Sequence, residues 1–420
     1  MKFSKCYAVA TAGLVLCASL FTGCGQRTPS QPVSSVAESI EDAPDLDISA
    51  LVYDTAEITI PESARIVALG EASHGAYEMQ LLKTEVFQAL VTNNDCRVFA
   101  IEGDFGGCAK VEEYIHGGDG TAEEAASQIG FAIYKTEEMA DLIQWMREYN
   151  ETAGEGRDLH FLGFDMQRYD NSKAYLLSYL YENTPELAAE YEEKLALLTN
   201  ENMWNLTSDE LKSAEADLTS LIETMDGGSF DADFAKECAQ SMLEFVQVRL
   251  NESQYNVYRD AAMKDKVDWI CSHYDGLIFI NGHNGHITKE SSSGYECMGA
   301  LLYNSYKDAY FPIGTDIANC TFNSQTDDGF EVCSVENANT LTAQLDTTKG
   351  NYYYLDFSRV AEDTSWQNVL NSKQRMMALN ISLNQAMINF KPAYTLEIIP
   401  SESYDGLIVV NQTEPTHLLP

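Results

Sequence analysis

Four strand-like, mainly apolar stretches of this chain each stop at the same kind of place. Arg65 to Leu69 runs into Gly70-Glu71. Arg97 to Ile101 runs into Glu102. Leu159 to Phe164 runs into Asp165-Met166-Gln167. Leu277 to Ile280 runs into Asn281-Gly282-His283-Asn284-Gly285-His286. Short apolar runs separated by helical stretches are the pattern of parallel strands covered on both faces. Tyr310 to Gly314, Tyr352 to Asp356 and Leu407 to Val410 fit further strands.

A three-to-four period marks the helices. Met79, Leu82, Val86 and Leu90 predict one over 78–91, and Met139, Leu142, Ile143 and Met146 another over 137–149. From Ser172 to His273 the pattern is almost wholly helical and strongly charged. The fold expected is therefore α/β: a mainly parallel central sheet flanked by helices, with a helical insertion over 170–273 that forms a lid or wall. No internal repeat is present.

The first residues depart from this pattern. Lys2 and Lys5 precede an apolar stretch from Tyr7 to Phe21 and then Thr22-Gly23-Cys24. That is a secretory leader too short to span a bilayer comfortably, and a small residue before cysteine resembles a bacterial lipobox. Residues 1–23 are expected to be a signal peptide and Cys24 the lipidated residue. Residues 24–45, rich in Ser, Pro, Glu and Asp, then form a flexible tether, and 46–420 the α/β domain. The protein is expected to be exported and held at the outer face of a bacterial membrane by its lipid anchor alone.

The chain carries a formal charge of −39. Without residues 1–23 it has 24 basic against 65 acidic side chains, or −41. A surface this acidic repels nucleic acid and anionic lipid, and both are excluded as partners. Beyond Cys24 seven cysteines remain, an odd number with no C-x-x-C pair. That argues against a zinc knuckle or a disulfide-dense scaffold. Cys96 and Cys271 are expected as buried small hydrophobes, and one or two disulfides among the others stay open.

In open α/β sheets ligands bind at the carboxyl ends of the strands, so the strand-end clusters are the candidate chemistry. His74 falls in the turn that opens the 78–91 helix, three residues after Glu71. Imidazole exchanges a proton near neutral pH, and a nearby carboxylate orients it, which suits a general base acting on water. The commoner use of an isolated E-x-x-H is a contact that only ties the turn. The second cluster shifts that balance, because His283, Asn284 and His286 stand between Gly282 and Gly285, which permit close approach or positive φ. H-x-x-H can ligate a metal with Glu71, Glu102 or His74, or it can form a metal-free set of donors to an oxyanion. Glu102 and Asp165 would place further carboxylates along the same edge, and Lys83 is a candidate cation. There is no G-x-S-x-G, H-E-x-x-H, P-loop or G-x-G-x-x-G, so no organic cofactor is expected, and a divalent metal stays open.

Taken together, these segments resemble the erythromycin esterase family. Gly70 to Gly75 with Glu78 and Lys83 is similar to its G-E-x-[ST]-H-G…E…[RK] opening. Val98 to Glu102 resembles its second strand, Gly163 to Gln167 its G-x-D-x-Q segment, and Arg259 to Met263 its R-D-x-x-M helix. Gly282 to His286 resembles its A-H-N-x-H segment, and Tyr404 to Ile408 its F-D-x-[LI]-I element. The resemblance implies hydrolysis of a carboxylic ester or lactone, a macrolide in the named members. It makes His74 the base, Glu71 its partner, and Glu102, His283 and His286 the lining of the cleft. Lys83, Asp165, Gln167, Asn284 and Arg259 then bind substrate or support the site. The leader sets this chain apart from the resistance esterases, which act inside the cell. The expectation is a metal-independent hydrolase of a small-molecule ester or lactone. A metal-dependent hydrolase using His283, His286 and Glu71, and a non-catalytic binding lipoprotein, are the alternatives.

Overall fold

The computed structural model describes residues 44–291 and 294–420. The expected signal peptide, Cys24 and all of the tether before Pro44 lie outside the described residues.

The chain opens with β1 (Ile66–Glu71), α1 (Tyr77–Asn94), β2 (Val98–Asp104), α2 (Phe105–Ile115), α3 (Ala122–Ala126), α4 (Glu137–Thr152) and β3 (His160–Asp165). Five helices follow without a strand: α5 (Asp170–Asn183), α6 (Pro185–Lys194), α7 (Ser208–Thr224), α8 (Phe230–Leu250) and α9 (Tyr255–His273). Then come β4 (Ile278–His283), α10 (Asn284–Ile287), α11 (Met298–Tyr306), β5 (Tyr310–Thr326), β6 (Gly329–Glu336) and β7 (Tyr352–Asp356). The chain closes with α12 (Thr364–Leu370), β8 (Gln374–Met377), β9 (Thr395–Ile398), α13 (Pro400–Ser403) and β10 (Gly406–Thr413).

The main sheet runs β3-β2-β4-β1-β5-β10-β7, with β6 paired to β5, while β8 and β9 form a separate ribbon. Its first six strands are parallel neighbours; β7 and β6 pair antiparallel at the far side. The chain lays down β1, β2 and β3 and then returns to insert β4 between β2 and β1. That reversal brings the end of β4 between the ends of β1 and β2, with His283 in register with Glu71. Ligand crevices form at such switch points.

Alternate residues of each strand enter separate cores, which is why the runs are apolar throughout. Ile66, Ala68, Val98, Ala100, Ile278 and Ile280 face one core, closed by α5 to α9 and α11. Val67, Leu69, Phe99, Ile101 and Phe279 face the other, closed by α1, α2 and α4. There the rings of Phe87, Phe99, Phe161 and Phe279 pack at centroid distances of 5.2 to 5.8 Å.

β5 is much longer than its apolar start indicates. Past Gly314 it continues beside β10 and then folds back as a hairpin with β6. In the hairpin the first half of β6 is exposed or half-buried and the rest alternates, whereas β5 keeps Phe322, Asn323 and Ser324 all buried. All seven described cysteines are free; Cys96 is buried and Cys271 half-buried. Among the described residues no helix is long and apolar enough to cross a membrane.

Candidate active site

Along the carboxyl edge, neighbouring strands carry Asp165, Glu102, His283 and Glu71 at or near their ends, in that order. All four side chains are buried. A buried carboxylate is unstable unless it is paired and hydrogen-bonded, and each of the three here has its own partners.

Glu71 is served by α1. Gln80 and Lys83, three residues apart on one helical face, both point at it. Lys83 Nζ lies 2.9 Å from Oε2, and Gln80 Nε2 donates to Oε1 at 3.0 Å and to the His74 carbonyl at 3.1 Å. Burial pushes the Glu71 carboxyl up, but the charges of Lys83 and then His74 outweigh it and hold it at about 2. Burial pushes the Lys83 ammonium down against the pull of Glu71.

His74 Nδ1 is 3.6 Å from Glu71 Oε2, an ion-pair approach and not a hydrogen bond. That nitrogen is buried and has no hydrogen-bond partner. The turn carrying it is pinned by its backbone: Leu379 N–H donates to the Ala72 carbonyl, and Asn323 and Thr416 N–H groups donate to that of Gly75. Gly75 is required there, because a Cβ would stand 2.0 Å from the Asn323 carbonyl oxygen. The Tyr134 ring meets His74 edge-on at 6.4 Å and lies 5.2 Å from Lys83 Nζ.

Glu102 and Asp165 are served by the insertion. Arg259, on the first turns of α9, donates from Nη2 to Glu102 Oε1 at 2.6 Å and to Asp165 Oδ2 at 2.5 Å, and from Nε to Asp165 Oδ2 at 3.1 Å. The second Glu102 oxygen accepts the His283 backbone N–H at 2.8 Å. Burial opposes ionisation of Glu102, but the basic groups of His286 and Arg259 hold it well below the usual carboxylate range. Gln167 donates to Asp165 Oδ2 at 2.8 Å and accepts from the Tyr255 hydroxyl.

His286 has both ring nitrogens engaged. Nδ1 is 2.8 Å from Asp260 Oδ1, and Nε2 is 2.9 Å from Arg259 Nη1. Burial opposes its cation, whereas Asp260 and Glu102 favour it and the net direction is upward. The arginine contact decides the form in this arrangement: two donors cannot share 2.9 Å, so Nε2 accepts and Nδ1–H donates to Asp260.

His283 lies between the other two imidazoles, with ring centroids 5.4 Å from His74 and 6.2 Å from His286. Its Nδ1 accepts the Gly285 N–H at 3.2 Å, so the proton is on Nε2. That Nε2 is buried without a partner. Burial and the neighbouring His74 and His286 push its pKa down to about 3, so it is a neutral donor at physiological pH.

Asn284 is a brace. Its amide donates to the Thr315 and Met377 carbonyls and accepts from Thr315 N–H. Its Oδ1 fills the space where a Cβ on Gly70 would come within 2.0 Å, so the glycine of the first cluster makes room for the asparagine of the second. Gly282 and Gly285 both have ordinary φ.

A family model for erythromycin esterase matches residues 91–413. The chain belongs to the erythromycin esterase family. It is 28% identical over 223 residues to an erythromycin esterase type II of Escherichia coli, covering 52% of this chain and 48% of that protein. It is 23% identical over 266 residues to the putative hydrolase YbfO of Bacillus subtilis, covering 54% and 57%. The chain thus spans about half the length of these curated relatives. Among solved structures, a Bacillus cereus protein superposes with a TM-score of 0.74 at 22% identity, covering 85% of this chain and 91% of its own. An erythromycin esterase mutant in its open conformation gives 0.64 at 18% identity, covering 86% and 93%. These likenesses are of fold.

The matched family range includes Glu102, Asp165, Gln167, Arg259, His283, Asn284 and His286, but not Glu71, His74 or Lys83. The tertiary structure joins the two groups at one edge. It adds three residues that sequence reasoning did not single out. Asp260 was visible only as the neighbour of Arg259 in the R-D-x-x-M segment. Gln80 was visible only as the residue one helical step from Lys83. Tyr134 sits in a short turn with no motif. The set His283, His286 and Glu71 does not converge on a metal as arranged. Both Glu71 oxygens face protein donors, the His286 lone pair faces Arg259, and that of His283 faces Gly285 N–H. Lys83 already engages Glu71, and Arg259 already engages His286.

Proposed function

We propose that this protein is a hydrolase of carboxylic esters or lactones that works by metal-independent attack of water. The observation carrying this reading is that His74 and the unpartnered Nε2–H of His283 adjoin across one edge, a base beside a donor. His74 Nδ1 faces the anion of Glu71, so Nε2, turned away from it, takes the proton of the attacking water. The water oxygen bonds to the carbonyl carbon, and the oxyanion accepts from His283 Nε2–H. Collapse of the tetrahedral intermediate breaks the ester C–O bond, and the alkoxide takes the proton back from His74. Glu71 stabilises the imidazolium formed between those steps. His283 is preferred to His286 as the oxyanion donor, since both nitrogens of His286 are held by Asp260 and Arg259.

The family points to macrolide lactones as one substrate class, and export would place the enzyme where it meets such molecules before they enter the cell. Simple esters and lactones therefore belong in the same screen as erythromycin. General-base catalysis contributes about 10²–10⁴-fold, so His74→Asn is expected to lose at least that range while melting as the wild type does. Unchanged turnover in the mutant would sink the assignment, and binding without hydrolysis across the wild-type screen would favour a non-catalytic lipoprotein. Lipidation at Cys24 is part of the proposal, supported by the leader and the small residue before it. Incorporation of labelled fatty acid into cells expressing the chain, and its loss in Cys24→Ala, checks this; label retained by Cys24→Ala would refute it.

A further inference from the structure

At the amino end of the same sheet lies a second histidine cluster that hydrolysis does not use. α2 starts at the carboxyl edge, where Asp104 caps it, and runs back along the sheet. Its last turn therefore meets the first residue of β3, His160, while Asp165 ends that strand at the catalytic edge. Five residue steps along the strand separate the two by roughly 17 Å. Glu112 and His116 are four apart and share one helical face.

Both imidazoles converge on one carboxylate oxygen. His160 Nδ1 is 2.7 Å from Glu112 Oε1 and His116 Nδ1 is 3.5 Å from it. One ligand atom from each of the three residues lies within 4.8 Å of the other two. Their surroundings hold the side chains in place. The other Glu112 oxygen accepts the Phe161 N–H at 2.7 Å. His116 Nδ1 also lies 2.9 Å from the Glu112 carbonyl, which holds the ring direction. The two imidazoles stack at 5.3 Å, and the Tyr274 ring packs 4.8 Å from His160. Such outer contacts fix tautomer and ring direction at metal sites.

The second feature is access. The side chains of His116, His160 and Glu112 keep 33%, 29% and 22% of their surface exposed, so water can reach the cluster and complete the coordination of a three-ligand metal.

We propose that Glu112, His116 and His160 bind one divalent cation of the zinc type, fastening the end of α2 to the start of β3. Two imidazoles and a carboxylate suit zinc better than calcium or magnesium, which take oxygen ligands. The site is separate from the catalytic edge and needs no hydrolytic turnover to be detected.

Metal-free mature protein titrated with Zn²⁺ by calorimetry, with Co²⁺ absorption as a check on ligand type, tests this. One Zn²⁺ per chain is expected, and His116→Ala and His160→Gln are each expected to weaken it by about 100-fold or more. His283→Asn, at the other edge, should leave it unchanged. Zn²⁺ should raise the melting temperature of the wild type and not of His116→Ala. His116 is partly exposed on a helix end, so its variant tests the site even if that of His160 misfolds. Absence of binding in the wild type, or binding lost in His283→Asn and kept in His116→Ala, overturns the proposal.

Discussion

The two halves of the carboxyl edge solve one problem in different ways. Each buries a strand-end carboxylate against a cation, but Glu71 has Lys83, twelve residues on, and Glu102 has Arg259, 157 residues on. Lysine offers a point charge; arginine offers a planar fork. Lys83 holds one carboxylate and leaves His74 Nδ1 without a hydrogen bond. Arg259 ties Glu102, Asp165 and His286 into one network. The contrast fits the proposed roles: His74 Nδ1, beside the lysine, has no hydrogen bond, whereas both ring nitrogens of His286, beside the arginine, are held.

Removing the fork should break this contrast most severely. Arg259→Met leaves two buried carboxylates without their cation, and losing one partner of a buried pair costs about 3–5 kcal/mol. Denaturant unfolding should show a loss in that range. A change within about 0.5 kcal/mol, the scale of ordinary surface substitutions, would mean that the network does not hold the edge together.

Lys83→Met is expected to cost less, about 3 kcal/mol, because it strands one carboxylate. Adding Glu71→Gln in the same chain should recover much of that stability, since the uncompensated charge is then gone. A double mutant as unstable as the sum of the two singles would show that the pair is not coupled.

The smallest effect concerns pH. His283 binds its proton near 6.5 in the unfolded chain but only near 3 in the fold. Between those values the unfolded state holds more protons, so stability is complete above 6.5 and falls as the pH drops towards 3. By pH 5 this amounts to about 2 kcal/mol. His283→Asn should flatten that part of the stability-versus-pH curve. A curve of unchanged slope would contradict a neutral, desolvated His283.

Much of this edge was legible before any coordinates. Mainly apolar runs stopping at Glu71, Glu102, Asp165 and His283 were enough to expect a parallel sheet with a polar carboxyl edge, because a strand buried on both faces leaves few positions for a charge. The helical period over 170–273 showed the insertion for the same reason, and the structure fills that span with five helices. The outer half of β5 that pairs with β6 was not legible as a strand, because Asn319 to Thr326 is mostly polar and carries no apolar run. Asp260 and Gln80 were illegible as site residues, since a buried polar side chain on a helix is marked only by what it meets across space.

The sequence by itself determined the family, the fold class and the inventory of strand-end groups, through local periodicity and short motifs. Only the tertiary structure decided their pairing. The insertion of β4 between β1 and β2 brings His283 beside His74 from more than 200 residues away. Arg259 then clamps His286, and the Nε2–H of His283 is left without a partner. Those outcomes depend on long-range register and on competition for hydrogen bonds in a desolvated site, which no local pattern encodes.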